Sequence, residues 1–138
     1  MAATRYYAEI EDGSGDQFYW EFTSADTSPR QFTVKNFSTG VAVDITAWTA
    51  FRFTAKYREG DADNVAVLSE SLSGGGIVKT TAASGLLTIT LSPADTSSLA
   101  YEEHLLDADL QGVDGSSNTW TLARGVVKIL PGITRTSP

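Results

Sequence analysis

No cysteine occurs anywhere in the chain, which removes both a disulfide framework and any thiolate metal site. Histidine occurs once, at position 104, so chemistry that needs an imidazole has a single candidate. Cations are scarce: ten Lys and Arg stand against seventeen Asp and Glu, for a net charge of -7. Those ten are dispersed from Arg5 to Arg135, a distribution that predicts no nucleic-acid partner and no anionic membrane surface. No segment approaches the ~20 apolar residues that span a bilayer, and "MAATRYYAEIEDGSG" lacks the basic start and apolar core of a secretion signal. The expectation is a product made in the cytoplasm. At 138 residues one domain, residues 1–138, is enough to bury roughly 70% of the surface the unfolded chain exposes.

What is present is β-forming. Thr, Val, Ile and aromatic residues fill the segments between Gly, Ser and Asp clusters, as suits a pleated, half-buried surface. Phe18, Trp20 and Phe22 alternate with polar partners in "QFYWEFT", as do Phe32 and Val34 in "QFTVKNF" and Phe51, Phe53 and Ala55 in "FRFTAKY"; the period is two, not 3.6. Leu87, Ile89 and Leu91 repeat the pattern in "GLLTITLS". "VAVLSESL" and "IVKTTAAS" read as further strands, "VAVDI" as a short one ending near Ile45, and "EEHLLDADL" and "NTWTLARGVVKIL" as the closing pair. Asp114-Gly115 between them offers the positive-φ pair of a tight hairpin. Eight to ten short strands predict an all-β sandwich or small barrel. One helical signal interrupts them: Ser92 as N-cap, Pro93 at the first helical position and Asp95 reaching back to Ser92 predict a turn from Pro93 to Leu99.

The stretch "LSPADTSSLAYEEHLLDADL" gathers His104 with Asp95, Glu102, Glu103, Asp107 and Asp109. Strand register separates them. Glu102, His104, Leu106, Ala108 and Leu110 share one face, the more apolar one, and Glu103, Leu105, Asp107 and Asp109 share the other. His104 is therefore expected at the core or its rim, hydrogen-bonded to backbone, rather than in a metal or acid–base site. Asp107 and Asp109 sit ~7 Å apart on the outer face, a spacing a glycosidase or a calcium site could use, but no partner acid or aromatic cleft accompanies them. A small hydrolase using Asp107, Asp109 and Glu103 is the weakest of the functional alternatives.

Other motifs fail on their own chemistry. "EDGSGDQ", "EGDADN" and "VDGSSN" are acidic loops without the full calcium-loop pattern. "SGGGIVKTT" places Lys79 after glycines, but a strand rather than a helix follows, so it is no phosphate loop. Asn36-Phe37-Ser38 matches a glycosylation sequon, and with no secretion signal expected the match is read as chance. No Gly-x-Ser-x-Gly elbow occurs. Trp20, Trp48 and Trp120 lie in or beside strands with apolar neighbours, so core roles are favoured over a sugar platform.

The order of segments carries more than any single motif. Asp44, Ile45, Thr46 and Trp48, then Gly76 and Ile77, then Leu87, Ile89 and Leu91, Asp95, Thr96 and Leu99, Asp107, Asp114-Gly115, and finally Arg124, Gly125 and Ile129 follow one another over residues 40–134. In that order the chain resembles the N-terminal β-sandwich module of upper baseplate proteins of tailed bacteriophages. It departs at His104, where that pattern usually has an aromatic residue. "LLTITLSPADTSSLAYEEHLLDADL" also resembles the strand, helical turn and strand that close an immunoglobulin-type sandwich without its cysteines.

The resemblance implies an immunoglobulin-like antiparallel β-sandwich and a non-enzymatic structural component of a virion, in tail or baseplate, head-tail connection or capsid decoration. It implies partners among copies of itself and other proteins of capsid, connector or tail, and no catalytic residue, cofactor or metal. Residues 1–10, from Thr4 to Ile10 in particular, and the tail from Gly132 to Pro138 are the expected contact arms. The alternative from another class is a carbohydrate-binding or adhesin module using exposed Trp or Tyr with loop carboxylates.

Overall fold

The computed structural model describes residues 5–11, 17–58, 60, 66–99 and 102–132. Among the described residues nine strands form two sheets: β1 (Tyr6–Ile10), β2 (Gln17–Thr23), β3 (Ser28–Asn36), β4 (Ala50–Lys56), β5 (Leu68–Ser71), β6 (Ile77–Thr81), β7 (Leu86–Leu91), β8 (His104–Val113) and β9 (Thr119–Leu130). One sheet runs β1-β3-β7-β6 and the other β2-β9-β8-β4-β5. This is an immunoglobulin-like order, A-B-E-D against G-F-C, the larger sheet being extended by a C′ strand at one edge and by β2 at the other. One pairing departs from the expected antiparallel pattern: β2 lies parallel to β9, Phe18 opposite Gly125 and Trp20 opposite Val127. The chain enters by pairing β1 with β3 in the smaller sheet, then crosses to the edge of the larger one.

The alternations predict the core. Phe18, Trp20, Phe22, Phe32, Val34, Phe51, Phe53, Ala55, Leu87, Ile89 and Leu91 are all buried. The disulfide that joins the sheets of antibody domains has no counterpart, and aromatic packing fills its place. The Phe18 ring meets Phe32 of the opposite sheet edge-on at 5.5 Å. Trp20 Nε1 donates to Ser28 Oγ across the sandwich at 2.9 Å, satisfying an indole N–H that burial would otherwise orphan. Trp48 stacks on Phe51 at 5.6 Å, and Tyr6 lies edge-on to both Trp48 and Trp120.

The helical turn forms as α1 (Pro93–Thr96), continued by a 3₁₀ turn over Ser97–Leu99. The Ser92 backbone N–H donates to the Asp95 carboxylate at 2.7 Å, the reciprocal arm of the expected capping box. Leu99 packs against the core. Three expectations need correction. Residues 41–45 form no strand, only a single bridge between Lys35 and Ala42. β8 runs from His104 to Val113 rather than from Glu102 to Leu110, because β4 pairs with it as far as Ala50 opposite Val113. In the β8–β9 hairpin the positive φ falls on Ser117, not on Asp114 or Gly115. Asp114 instead accepts the backbone N–H groups of Ser116 and Asn118 at 2.9 and 3.0 Å.

Residues 6–10 of the expected N-terminal arm are β1, with Ala8 and Ile10 in the core; that segment belongs to the sandwich and lies at the edge of its sheet. Thr4 and residues 133–138 lie outside the described residues.

Gly125 is where β2, β9 and the core meet. A Cβ there would lie 2.6 Å from Cγ and Cδ2 of Phe18 and closer still to the Phe18 carbonyl oxygen, and that backbone is fixed by pairing with β9. Gly125→Ala is expected to destabilise the fold by about 1–3 kcal/mol, the usual range for overpacking. Denaturant titration checks this; an unchanged midpoint would show that β2 can shift away from β9.

Candidate interaction surface

Because β2, β9, β8 and β4 each alternate inward and outward, their polar sets come together on the outer face of the larger sheet. The rows across it follow from the register. Tyr19, Val126, Asp107 and Lys56 lie in one row, and Gln17, Arg124, Asp109 and Thr54 in the next. Glu21, Lys128 and Leu105 form a third. Asp107 and Asp109 thus face outward as their spacing predicts, but they are embedded among cations. Together with Arg52, Thr54, Lys56 and Arg124 they line a shallow depression of about 180 Å³. Lys128 Nζ is 3.7 Å from Glu21 and 3.6 Å from Glu103, and Glu103, with Tyr19 and Glu21, holds its ammonium above the ordinary lysine value.

Four of the ten cations dispersed along the sequence are therefore gathered in space. Arg52, Lys56, Arg124 and Lys128 share this face, interleaved with Glu21, Glu103, Asp107 and Asp109. The equal mixture of signs gives no cationic field of the kind a phosphate backbone needs. Leu105 and Tyr19 stand among these charges 60% and 52% exposed, with Val126 partly exposed between them. The opposite sheet presents another character: Thr33, Thr80, Thr88 and Thr90, a Lys35–Glu9 ion pair at 3.0 Å, and Arg5 over the exposed Phe37 ring at 4.5 Å.

His104 lies inward and is only 8% exposed, as the register predicts. Its partner is not backbone: Nδ1 is hydrogen-bonded to the Tyr57 hydroxyl at 2.6 Å, a residue at the end of β4 that no sequence spacing linked to it. Asp107 and Asp109 point to the other side of the strand. Among the described residues no three His, Asp or Glu side chains converge in a way that could hold a metal. Of the acidic loops, residues 12–16, 59 and 61–65 lie outside the described residues. In the loop after β8 the Asp114 carboxylate is occupied by hydrogen bonds. Trp120 Nε1 donates to it at 3.0 Å, and this bond first, then those from the loop backbone, lowers its pKa. Lys79 donates to the carbonyls of Thr46 and Trp48, a structural tie rather than a phosphate contact. Asn36 Oδ1 accepts the Ser38 N–H at 2.9 Å as part of a turn. Trp20 and Trp48 are in the core and Trp120 is half-buried, so none of the tryptophans forms an exposed platform.

One acidic pair has no sequence signal. Glu70 on β5 shares the inward face with Leu68 and lies over the backbone of Gly76, where a Cβ would come within 2.7 Å of its Cδ. There it hydrogen-bonds Asp95, the capping carboxylate of α1. Burial and then the Asp95 carboxylate push the Glu70 pKa up to about 7.

Neither a protein-family model nor any curated protein matches the chain. Solved structures resemble it over most of its length at low identity. A crystal structure of dimeric latent PorU from Porphyromonas gingivalis aligns at 16% identity with a TM-score of 0.49, covering 93% of this chain and 13% of that one. A cohesin from a Clostridium thermocellum cohesin–dockerin complex aligns at 12% and 0.39, covering 91% and 99%. AggA, the major subunit of aggregative adherence fimbriae type I from Escherichia coli, aligns at 11% and 0.35, covering 96% and 97%. The chain thus spans only a small part of the PorU chain. At these TM-scores the immunoglobulin-like assignment comes from the strand order itself.

The Glu70–Asp95 pair fixes a pH dependence. A carboxyl whose pKa is higher folded than unfolded binds its proton more tightly in the native state, so its contribution is complete below about 4.5 and is lost as pH rises through about 7. Glu70→Gln keeps a neutral hydrogen-bonding group. It is expected to match the wild type near pH 4.5 and to melt at a higher temperature at pH 8. Melting curves across that range check it, and equal melting temperatures at pH 8 would contradict the pairing.

Proposed function

We propose that the chain is a non-enzymatic assembly module, an immunoglobulin-like sandwich that serves in the virion of a tailed phage by binding copies of itself or proteins of capsid, connector or tail. The observation that carries the assembly reading is the outer face of the larger sheet. It is broad, shallow and balanced in charge, with Leu105 and Tyr19 more than half exposed among the ion pairs. Such a mixture of apolar and paired polar groups suits a protein partner better than a small molecule, which is usually held in a deep, mostly apolar cleft. The one imidazole is engaged by a phenol within the rim of the core, a setting that suits structure rather than nucleophile activation. The segment order over residues 40–134, with its resemblance to baseplate sandwich modules, supports the phage context and the virion as the destination of a protein made in the host bacterial cytoplasm.

A carbohydrate-binding or adhesin role is the second reading. The exposed rings of Tyr19 and Tyr57 favour it, although the buried tryptophans deny it the stronger platform. Mass spectrometry of purified particles separates the two. The protein is expected there in structural copy number, and its absence from particles overturns the virion reading. Saturable binding on a glycan array, with or without calcium, would favour the second.

A further inference from the structure

The charges on the outer face of the larger sheet are sorted by strand. β2 carries Glu21, β9 carries Arg124 and Lys128, β8 carries Asp107 and Asp109 with Glu103 just before it, and β4 carries Arg52 and Lys56. In spatial order β2-β9-β8-β4 the columns read acidic, basic, acidic, basic. That sequence is its own complement. Turning a second copy by half a revolution about an axis that runs along the strands between β8 and β9 reverses the order, so every column meets one of opposite sign. An axis across the strands would lay β8 on β8, acid against acid. A closed two-fold contact needs this kind of self-complementary patch, and the alternation selects one of its two possible axes.

We propose that this face is a two-fold interface between two copies of the chain. Asp109 and Arg124 lie at the same level, so the axis brings each opposite the other in the second copy, twice per dimer. Tyr19 and Lys56 share the next level and likewise meet across the axis, ring against ammonium. Leu105 and Lys128 share a third, which lays the lysine stem over the exposed leucine. The cross-strand pairs within each copy remain and are extended into a two-layer array. Strands ~4.8 Å apart and ~3.3 Å per residue give four columns an area on the order of 500 Å² per copy. That is below the ~800 Å² per partner of standard stable interfaces, so the dimer is weak, and its ionic content makes it sensitive to salt. This inference rests on the assembly reading and names the surface and partner it uses.

Sedimentation velocity on the full chain tests it through a charge exchange. The wild type is expected to show a monomer–dimer equilibrium over about 10–500 µM that shifts to monomer at high salt. Asp109→Lys and Arg124→Glu each place like charges across the axis twice, and each alone is expected to weaken the dimer by about tenfold or more. An equimolar mixture restores both contacts and should dimerise like the wild type. Pairing within one copy cannot produce that rescue. Circular dichroism establishes that each variant is folded. Leu105→Lys, which places an ammonium opposite Lys128 of the second copy and leaves the Asp109 and Arg124 pairs intact, supplies an independent disruption should an exchange variant fail to fold. A wild type that stays monomeric at about 500 µM, a folded variant that dimerises undiminished, or a mixture that remains monomeric overturns the interface. A monomer still found in purified particles would overturn this interface alone, whereas a dimer absent from particles would overturn the virion reading alone.

Discussion

The division of the first two strands between the sheets is the constraint on which the rest of the packing depends. β1 adds to the smaller sheet and β2 to the larger, so the two strands together clamp both layers. The clamp depends on β2 lying close against β9, and that approach is possible only because Gly125 leaves room for the Phe18 ring and backbone. From this position Phe18 reaches Phe32 and Trp20 reaches Ser28 in the opposite sheet. The indole bond is a directional link in an otherwise non-directional apolar core, and it does part of the work of the absent disulfide: it fixes which residues of the two layers face one another.

The same pleat that buries the aromatics sorts the charges. Alternation sends every second residue of β8 inward, so the acids at 107 and 109 emerge on one face while His104, Leu106, Ala108 and Leu110 are buried. The antiparallel neighbours β4 and β9 place cations beside them. A cluster that looks like a catalytic or metal site in one dimension becomes an ionic lattice in three. Opposite charges in cross-strand register contribute only modestly to stability, and their arrangement in columns is of more consequence for recognition. At the seam between the sheets the opposite case holds: Glu70 and Asp95 bring two carboxyls together, and burial with this proximity raises the Glu70 pKa to about 7.

Much of the architecture was legible beforehand. Period-two alternation placed the core residues of β2, β3, β4 and β7, and the Ser92–Asp95 spacing placed α1 with its cap. These are short-range effects that depend on side-chain direction and backbone hydrogen bonding within a few residues. The parallel course of β2 was not legible, because an amphipathic strand carries no mark of the direction of its neighbour. The partner of His104 was missed for a related reason: Tyr57 lies 47 residues away and meets it only through pairing of β4 with β8. The strand expected at residues 41–45 reduces to one bridge at Ala42, with backbone bonds to β3 from Val41 and Val43 on either side, because alternation there is too short to extend the pairing.

The sequence by itself determined which residues are inside, which face Asp107 and Asp109 share, where the helical turn begins, and that no disulfide or thiolate metal site is available. Those outcomes follow from composition and local period. Only the tertiary structure decided that four dispersed cations would stand among four carboxylates on one sheet, that Glu70 would meet the capping carboxylate of α1, and that β1 and β2 would join different sheets. Strand order and register, not spacing along the chain, set which charges lie within a few ångströms of one another, and electrostatic interaction depends on that distance.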